Sequence, residues 1–261
     1  MAAAVINPLY SVAGLFVGLL VGFTGVGGGS LMTPLLILAF GFHPVTAVGT
    51  DLLYASITKT AGTAVHGLSG TVDWKIVRRL AMGSVPATAL TLLVLALAGA
   101  RFDGTEHVIT VALGLALIAT AITMLFRRQI LVYFERGVDR LTPERVARST
   151  IVLGAALGVL VSLSSVGAGA LGMTVLLVLY PKLPVNRLVG SDIAHAVPLT
   201  LIAGLGHWAM GSVDFSLLLS LLVGSIPGVI IGSLLSSRVS ERILRPVLAG
   251  TLAIVGGKLL F

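Results

Sequence analysis

Long apolar runs alternate with short polar ones along this chain. The apolar stretches cover roughly 8–40, 44–67, 76–100, 106–126, 150–181, 184–210, 215–236 and 242–261. A helix crosses the hydrocarbon core of a bilayer with about 20 residues, so most of these stretches predict one crossing each. The first and fifth are too long for a single crossing, and each is interrupted near its middle. The interruptions read Gly25-Val26-Gly27-Gly28-Gly29-Ser30 and Ser164-Ser165-Val166-Gly167-Ala168-Gly169. Glycine disfavours a helix interior by about 1 kcal/mol relative to alanine. Each long stretch therefore predicts two short helices that meet at a break.

The pattern is written twice. Asp51, His66, Gly70, Val72, Asp73, Gly83, Ser84 and Pro86 recur 141 residues later as Asp192, His207, Gly211, Val213, Asp214, Gly224, Ser225 and Pro227. Gly27, Gly29 and Pro44 match Gly167, Gly169 and Pro184 at an offset of 140. Two homologous membrane halves, each with a glycine-rich break and a lone acid, is a plan that secondary transporters use. The predicted division is a first membrane repeat at 8–126, a linker at 127–149 and a second membrane repeat at 150–261.

Basic residues choose between two topologies, because cytoplasmic loops carry the excess of Lys and Arg. If each broken stretch is a re-entrant hairpin, the Arg-rich central loop and the loops near Lys75, Lys182 and Arg238 share one side. Fourteen of the seventeen basic residues are then cytoplasmic, with Arg101 and Lys258 outside and Lys59 inside a span. If the stretches cross fully, the split is ten against six. The first arrangement predicts an all-α polytopic membrane protein of two inverted halves. Each half is a broken re-entrant helix hairpin plus three transmembrane helices. Eight full crossings in two parallel repeats is the alternative.

Composition agrees with a membrane setting. The set AVILMFWYC makes up 56% of the chain and only 10% of residues are charged, too much apolar surface for a soluble domain to hide. The net charge of +7 lies between apolar stretches, which fits phospholipid headgroups and not nucleic acid. Segment 127–149 mixes arginines with Ile130, Leu131, Val132, Tyr133 and Phe134, and reads as an amphipathic linker on the cytoplasmic surface. Cysteine is absent, so thiol catalysis is excluded. The amino terminus lacks the charged region of a signal peptide, so the mature protein is expected to begin at Met1.

The breaks are the first candidate site. Unwound backbone at membrane depth is tolerated only against protein or a watery cavity, and it frees N–H groups. A short helix starting there also presents its positive end. Thr24, Gly27, Gly28, Gly29 and Ser30 from one break, with Ser164, Ser165, Gly167, Ala168 and Gly169 from the other, would surround a small anion. Close packing through small residues is the competing reading. Asp51 and Asp192 lie early in the helices after Pro44 and Pro184, where an ionised acid in a bilayer normally faces protein or water. Their roles are proton carriage or organisation of the breaks, against simple capping of a helix end. Lys59, central in its span, would balance the charge of a bound anion or pair with an acid. Its twin is Thr200. His195, one turn beyond Asp192, has Tyr54 as its twin and could share a proton with that acid. No metal cluster, nucleophile with a base, or nucleotide loop is legible, so no cofactor and no enzyme chemistry are expected.

The chain resembles the TauE/SafE family of sulfite and organosulfonate exporters over nearly its whole length. The resemblance rests on Gly25-Val26-Gly27-Gly28-Gly29 and on Gly49-Thr50-Asp51-Leu52 with its twin Gly190-Ser191-Asp192. It rests also on His66 with Gly70-Thr71-Val72-Asp73-Trp74 and on the twin His207 with Gly211-Ser212-Val213-Asp214-Phe215. Ala168 in place of Gly28, and Ser164-Ser165 in place of Thr24-Gly25, depart from exact symmetry. The family implies a multi-pass carrier of the bacterial inner membrane that moves small sulfur-containing anions, usually outward. The expected partners are a small anionic substrate and membrane lipid, with proton coupling and a homo-oligomer left open. An anion channel with paired re-entrant hairpins is the first rival, and a membrane-embedded enzyme the second.

Overall fold

A computed structural model describes residues 6–24, 29–68, 70–99, 105–138, 142–235 and 241–260. Among the described residues all regular structure is helical. The helices are α1 (Pro8–Thr24), α2 (Gly29–Leu38), α3 (Pro44–Leu68), α4 (Trp74–Gly99), α5 (Thr105–Val138), α6 (Pro143–Ser164), α7 (Ala170–Leu179), α8 (Val185–Ala209), α9 (Phe215–Leu235) and α10 (Glu241–Leu260). Five described segments are long and apolar enough to cross a membrane, in α4, α5, α6, α8 and α9. Their outward faces are apolar: Met82, Leu90, Leu93, Val94 and Leu97 of α4 are all exposed. Such a surface suits lipid and not water.

Local chemistry sets the helix ends. Proline opens α1, α3 and α6, where its missing N–H costs nothing and its fixed φ already suits a helix. Thr142 caps α6 by accepting from the Arg145 N–H at 3.4 Å. The duplicated Gly-x-Val-Asp set is turn chemistry. Gly70 and Gly211 follow α3 and α8 with φ of 64° and 76°, a left-handed conformation that glycine adopts without strain. Asp73 then caps α4 by accepting from the Lys75 N–H at 3.0 Å, and Asp214 caps α9 by accepting from the Leu217 N–H at 2.9 Å. α5 does not stop at Arg127 but carries its helix through the start of segment 127–149.

The two halves pack through exchanged partners. α1 lies along α9, α6 along α4, α3 along α8 and α5 along α10. Glycines set the distances. Gly14 and Gly18 of α1 lie against the backbone of Leu221 and Ser225. Their counterparts Gly154 and Gly158 of α6 lie against Leu80 and Ser84. In the reverse sense Gly224 of α9 meets Ser11, and Gly83 of α4 meets Ile151. These pairings run both helix pairs parallel. Apolar lipid offers no hydrophobic drive for helix association, so backbone approach through small residues supplies it. α3 and α8 run antiparallel. The Asp214 N–H donates to Thr50 Oγ1 at 3.1 Å and the Asp73 N–H donates to Ser191 Oγ at 2.8 Å, one bond at each end of the pair.

Each broken stretch returns toward its start. Tyr10, early in α1, packs edge-on against Phe40 and Phe42, just past α2, with centroids 5.1 and 5.6 Å apart. In the second half Thr150, early in α6, shares a hydrogen bond of 2.8 Å with Tyr180 Oη, the residue after α7. Thr150 and Tyr180 occupy the positions of Tyr10 and Phe40 at the 140-residue offset. One junction is aromatic and the other polar, and Arg79 of α4 also donates to Tyr180 Oη at 3.1 Å.

Candidate functional site

The break between α6 and α7 is built by three residues. Ser165 ends α6 in the left-handed conformation, φ 58° and ψ 3°, with its N–H donating to the Val161 carbonyl at 2.8 Å. Gly167 follows with φ of 118°, which strongly favours glycine. Ser164 spends its hydroxyl locally, donating to the Leu160 carbonyl at 2.7 Å and accepting from the Val166 N–H at 3.2 Å. Ala168 is buried among Val48, Leu52, Leu157 and Val161. Gly169 stands just before α7, and its carbonyl accepts from the Met173 N–H at 3.1 Å. The buried Ser165 hydroxyl is turned toward Asp51 but makes no hydrogen bond of good geometry. In the other break Gly27 and Gly28 lie outside the described residues, as do the side chains of Thr24 and Ser30. Thr24 ends α1 and Gly29 opens α2.

Ser165 stands beside Asp51, so the break of the second half meets the acid of the first. Asp51 is fully buried on α3, and Thr33 of α2 donates to its Oδ2 at 2.5 Å. A hydroxyl aimed at a buried carboxylate is a charge-assisted bond, about twice as strong as a neutral one. Asp192 on α8 is buried as well; its Oδ1, like Asp51 Oδ1, has no hydrogen-bond partner, and no hydroxyl bonds to it as Thr33 does to Asp51. The residue matching Thr33 in the second half is Met173, which has no hydroxyl.

Lys59 is the cation of this centre. It is 8% exposed, two turns beyond Asp51 on α3, and acts electrostatically on Asp192, on Asp51 and on His195. It forms no ion pair or hydrogen bond with a described residue. The antiparallel packing of α3 on α8 sets Asp51, beside Thr50, and Asp192, beside Ser191, toward opposite ends of the pair, with Lys59 between them. Asp51, Lys59, Ser165, Asp192 and His195 thus line one extended buried polar centre where the two halves meet.

His195 does not bond to Asp192. Its Nε2 lies 2.8 Å from Ser84 Oγ on α4, while its Nδ1 has no partner. The matching place in the first half holds Tyr54 beside Ser225 of α9. Only the second half closes this contact: Ser84 bonds to His195, whereas Tyr54 Oη and Ser225 Oγ make no hydrogen bond of good geometry. His207 is buried, with Nε2 2.9 Å from the Ser162 carbonyl. Among the described residues no group of three or more acids and histidines could hold a metal ion.

Sequence reasoning missed Thr33 and the role of Ser84. Thr33 carried a signal, being a hydroxyl just before Pro34 in an otherwise apolar helix. Its pairing with Asp51 depends on the chain folding back between α2 and α3, which spacing does not reveal.

Residues 10–259 match the description "Sulfite exporter TauE/SafE". The chain belongs to the TauE/SafE sulfite exporter family. It is 43% identical over 209 residues to the probable membrane transporter protein YjnA of Bacillus subtilis, covering 78% of this chain and 80% of that protein. A probable membrane transporter of Methanocaldococcus jannaschii is 28% identical over 210 residues, 76% of this chain and 70% of its own length. One from Xylella fastidiosa is 30% identical over 117 residues, 45% of this chain and 43% of its length. No solved structure matches. As a TauE/SafE protein with several apolar spans, the chain is a multi-pass membrane transporter.

Proposed function

We propose that this TauE/SafE protein is a secondary transporter that exports small sulfur-containing oxyanions, sulfite or small organosulfonates, across the bacterial inner membrane. The observation that carries the reading is Lys59: a buried ammonium with no ion pair to a described residue, acting on one acid from each half, Asp51 and Asp192. An anion there would take its counter-charge from Lys59 and a hydrogen bond from Ser165. The sulfonate and sulfite groups present three oxygens, which suits several converging donors.

The reading includes the architecture. Broken pairs that return to their starting level act as re-entrant hairpins, and the two halves lie inverted across the membrane. The antiparallel α3 and α8 support this, as do the matched bonds Asp73 to Ser191 and Asp214 to Thr50 at opposite ends. These two ends are the access routes, opened in turn as one half rocks on the other. Arg187 reinforces the Asp73 end alone, with Nη2 3.9 Å from Asp73 Oδ2.

Two experiments test this. A cysteine in Gly70–Asp73 should react with a membrane-impermeant maleimide only from the cytoplasm, and one in Gly211–Asp214 only from outside. Labelling of both from one side would remove the inverted arrangement. A binding screen of sulfite, methanesulfonate and chloride on purified protein should select the sulfur anions, and Lys59→Met should lose that selection.

A further inference from the structure

The two acids of the centre occupy matching places, but their surroundings differ in kind. Asp51 is held by Thr33 and stands beside Ser165. Asp192 has Met173 where Asp51 has Thr33. Its Oδ1 lies against Gly172, so close that a Cβ built on that glycine would be 2.9 Å away. The first half places Met32 there. A carboxylate oxygen with no donor therefore occupies space that only glycine leaves open. Nothing in its packing prefers the charged form to the neutral one, save Lys59.

We propose that Asp192 competes with the transported anion for Lys59. Ionised, it is the lysine's counter-charge and excludes substrate. Protonated, it leaves the ammonium free, so that one proton and one anion load together while Asp51 stays charged. This rests on the anion site proposed above.

Charge counting carries the argument. One ammonium faces two carboxylates, so the ionised centre holds one excess negative charge. An added monoanion would make it two in a buried site, where each uncompensated charge costs several kcal/mol. A proton on Asp192 restores the original count. The proton enters from the same side as the anion, adds to a carboxylate oxygen, and leaves with the anion on the other side. Nothing else is consumed.

The neighbours of Asp192 leave few other routes. α3 presents Lys59, with Asp51 on the same helix. α7 presents Gly172, and α6 presents Leu157 beside that glycine. α4 presents Ser84, which engages His195. On α8 itself Arg187 reaches Asp73 instead. Lys59 is the one cation acting on Asp192 among the described residues.

The test is calorimetric binding to the full-length protein in detergent. The probe is methanesulfonate, which stays a monoanion between about pH 5 and 9, so that any pH dependence belongs to the protein. Wild type should bind at constant affinity in acid and lose about tenfold per pH unit once Asp192 ionises. Comparison of buffers should show one proton taken up per anion, a count that needs no variant. Asp192→Asn should bind with the acid-side affinity at every pH. His195→Gln should keep the slope. A flat wild-type profile, a slope that persists in Asp192→Asn, or one that vanishes in His195→Gln would overturn the proposal while leaving the anion site intact. Absence of binding at every pH would remove the anion site itself, and the proposal with it.

Discussion

Alanine at Gly83 or Gly224 should separate helices that the fold needs in contact. The two glycines are partners in the repeat, one on α4 facing α6 and one on α9 facing α1. A Cβ on Gly83 would collide with the Ile151 carbonyl oxygen and sit 2.7 Å from the Ala155 nitrogen. A Cβ on Gly224 would collide with the Ser11 carbonyl oxygen and sit 2.8 Å from the Leu15 nitrogen. Both obstacles are backbone, so no side chain can rotate out of the way. Overpacking of this kind costs about 1–3 kcal/mol, and the better helix propensity of alanine returns about 1. With backbone in the way the upper range applies, leaving a net loss of roughly 2 kcal/mol. On the usual scaling of about 2–4 °C per kcal/mol, the melting midpoint should fall by roughly 4–8 °C. The assay is thermal unfolding in detergent, followed by the monodisperse fraction on gel filtration. Gly250→Ala and Gly257→Ala are the controls, since nothing lies within 4 Å of a Cβ at either. They should be neutral or slightly stabilising. Wild-type stability in both Gly83→Ala and Gly224→Ala would refute the close approach. A large loss in one alone would refute the matched roles of the two helix pairs.

Thr33→Val removes the one hydroxyl bonded to Asp51 and should cost about 1.5–3 kcal/mol, with Thr33→Ser restoring it; equal melting midpoints for Val and wild type would contradict that bond. Gly167→Ala forces a side chain into φ of 118°, 2.9 Å from Leu160 Cδ2. It should lower stability by about 1–3 kcal/mol in a denaturant titration, and no change would mean that the break does not hold this conformation.

Much of the helix plan was legible because bilayer thickness and apolar length constrain each other. The break at Gly167, and the turns at Gly70 and Gly211, stand out because glycine marks places a helix cannot continue. The buried charges were legible as well, since Asp51, Lys59 and Asp192 interrupt apolar runs at a known energetic cost. What spacing could not show was which helix faces which. The exchange of partners, α1 with α9 and α6 with α4, is a relation between distant segments. Its marks, Gly14, Gly18, Gly154 and Gly158, look like ordinary small residues in apolar sequence. For the same reason Thr33 and Ser84 entered the site only through the structure. His195 shows the limit of helical spacing: three residues from Asp192 puts it on the same side, yet the ring bonds across to α4. The duplicated Asp73 and Asp214 are helix caps, so repetition marked the turns of the scaffold as well as the acids of the site.

The central claim is that a small sulfur oxyanion is carried at Lys59 by a transporter that opens to one side at a time. Counterflow tests it most directly. Proteoliposomes loaded with unlabelled sulfite should accumulate isotopically labelled sulfite from outside, transiently above the internal equilibrium level, at a rate that saturates with concentration. Lys59→Met, reconstituted to the same density, should show none. Labelled sulfite entering without overshoot and without saturation would make the protein a channel, and full counterflow in Lys59→Met would place the anion elsewhere.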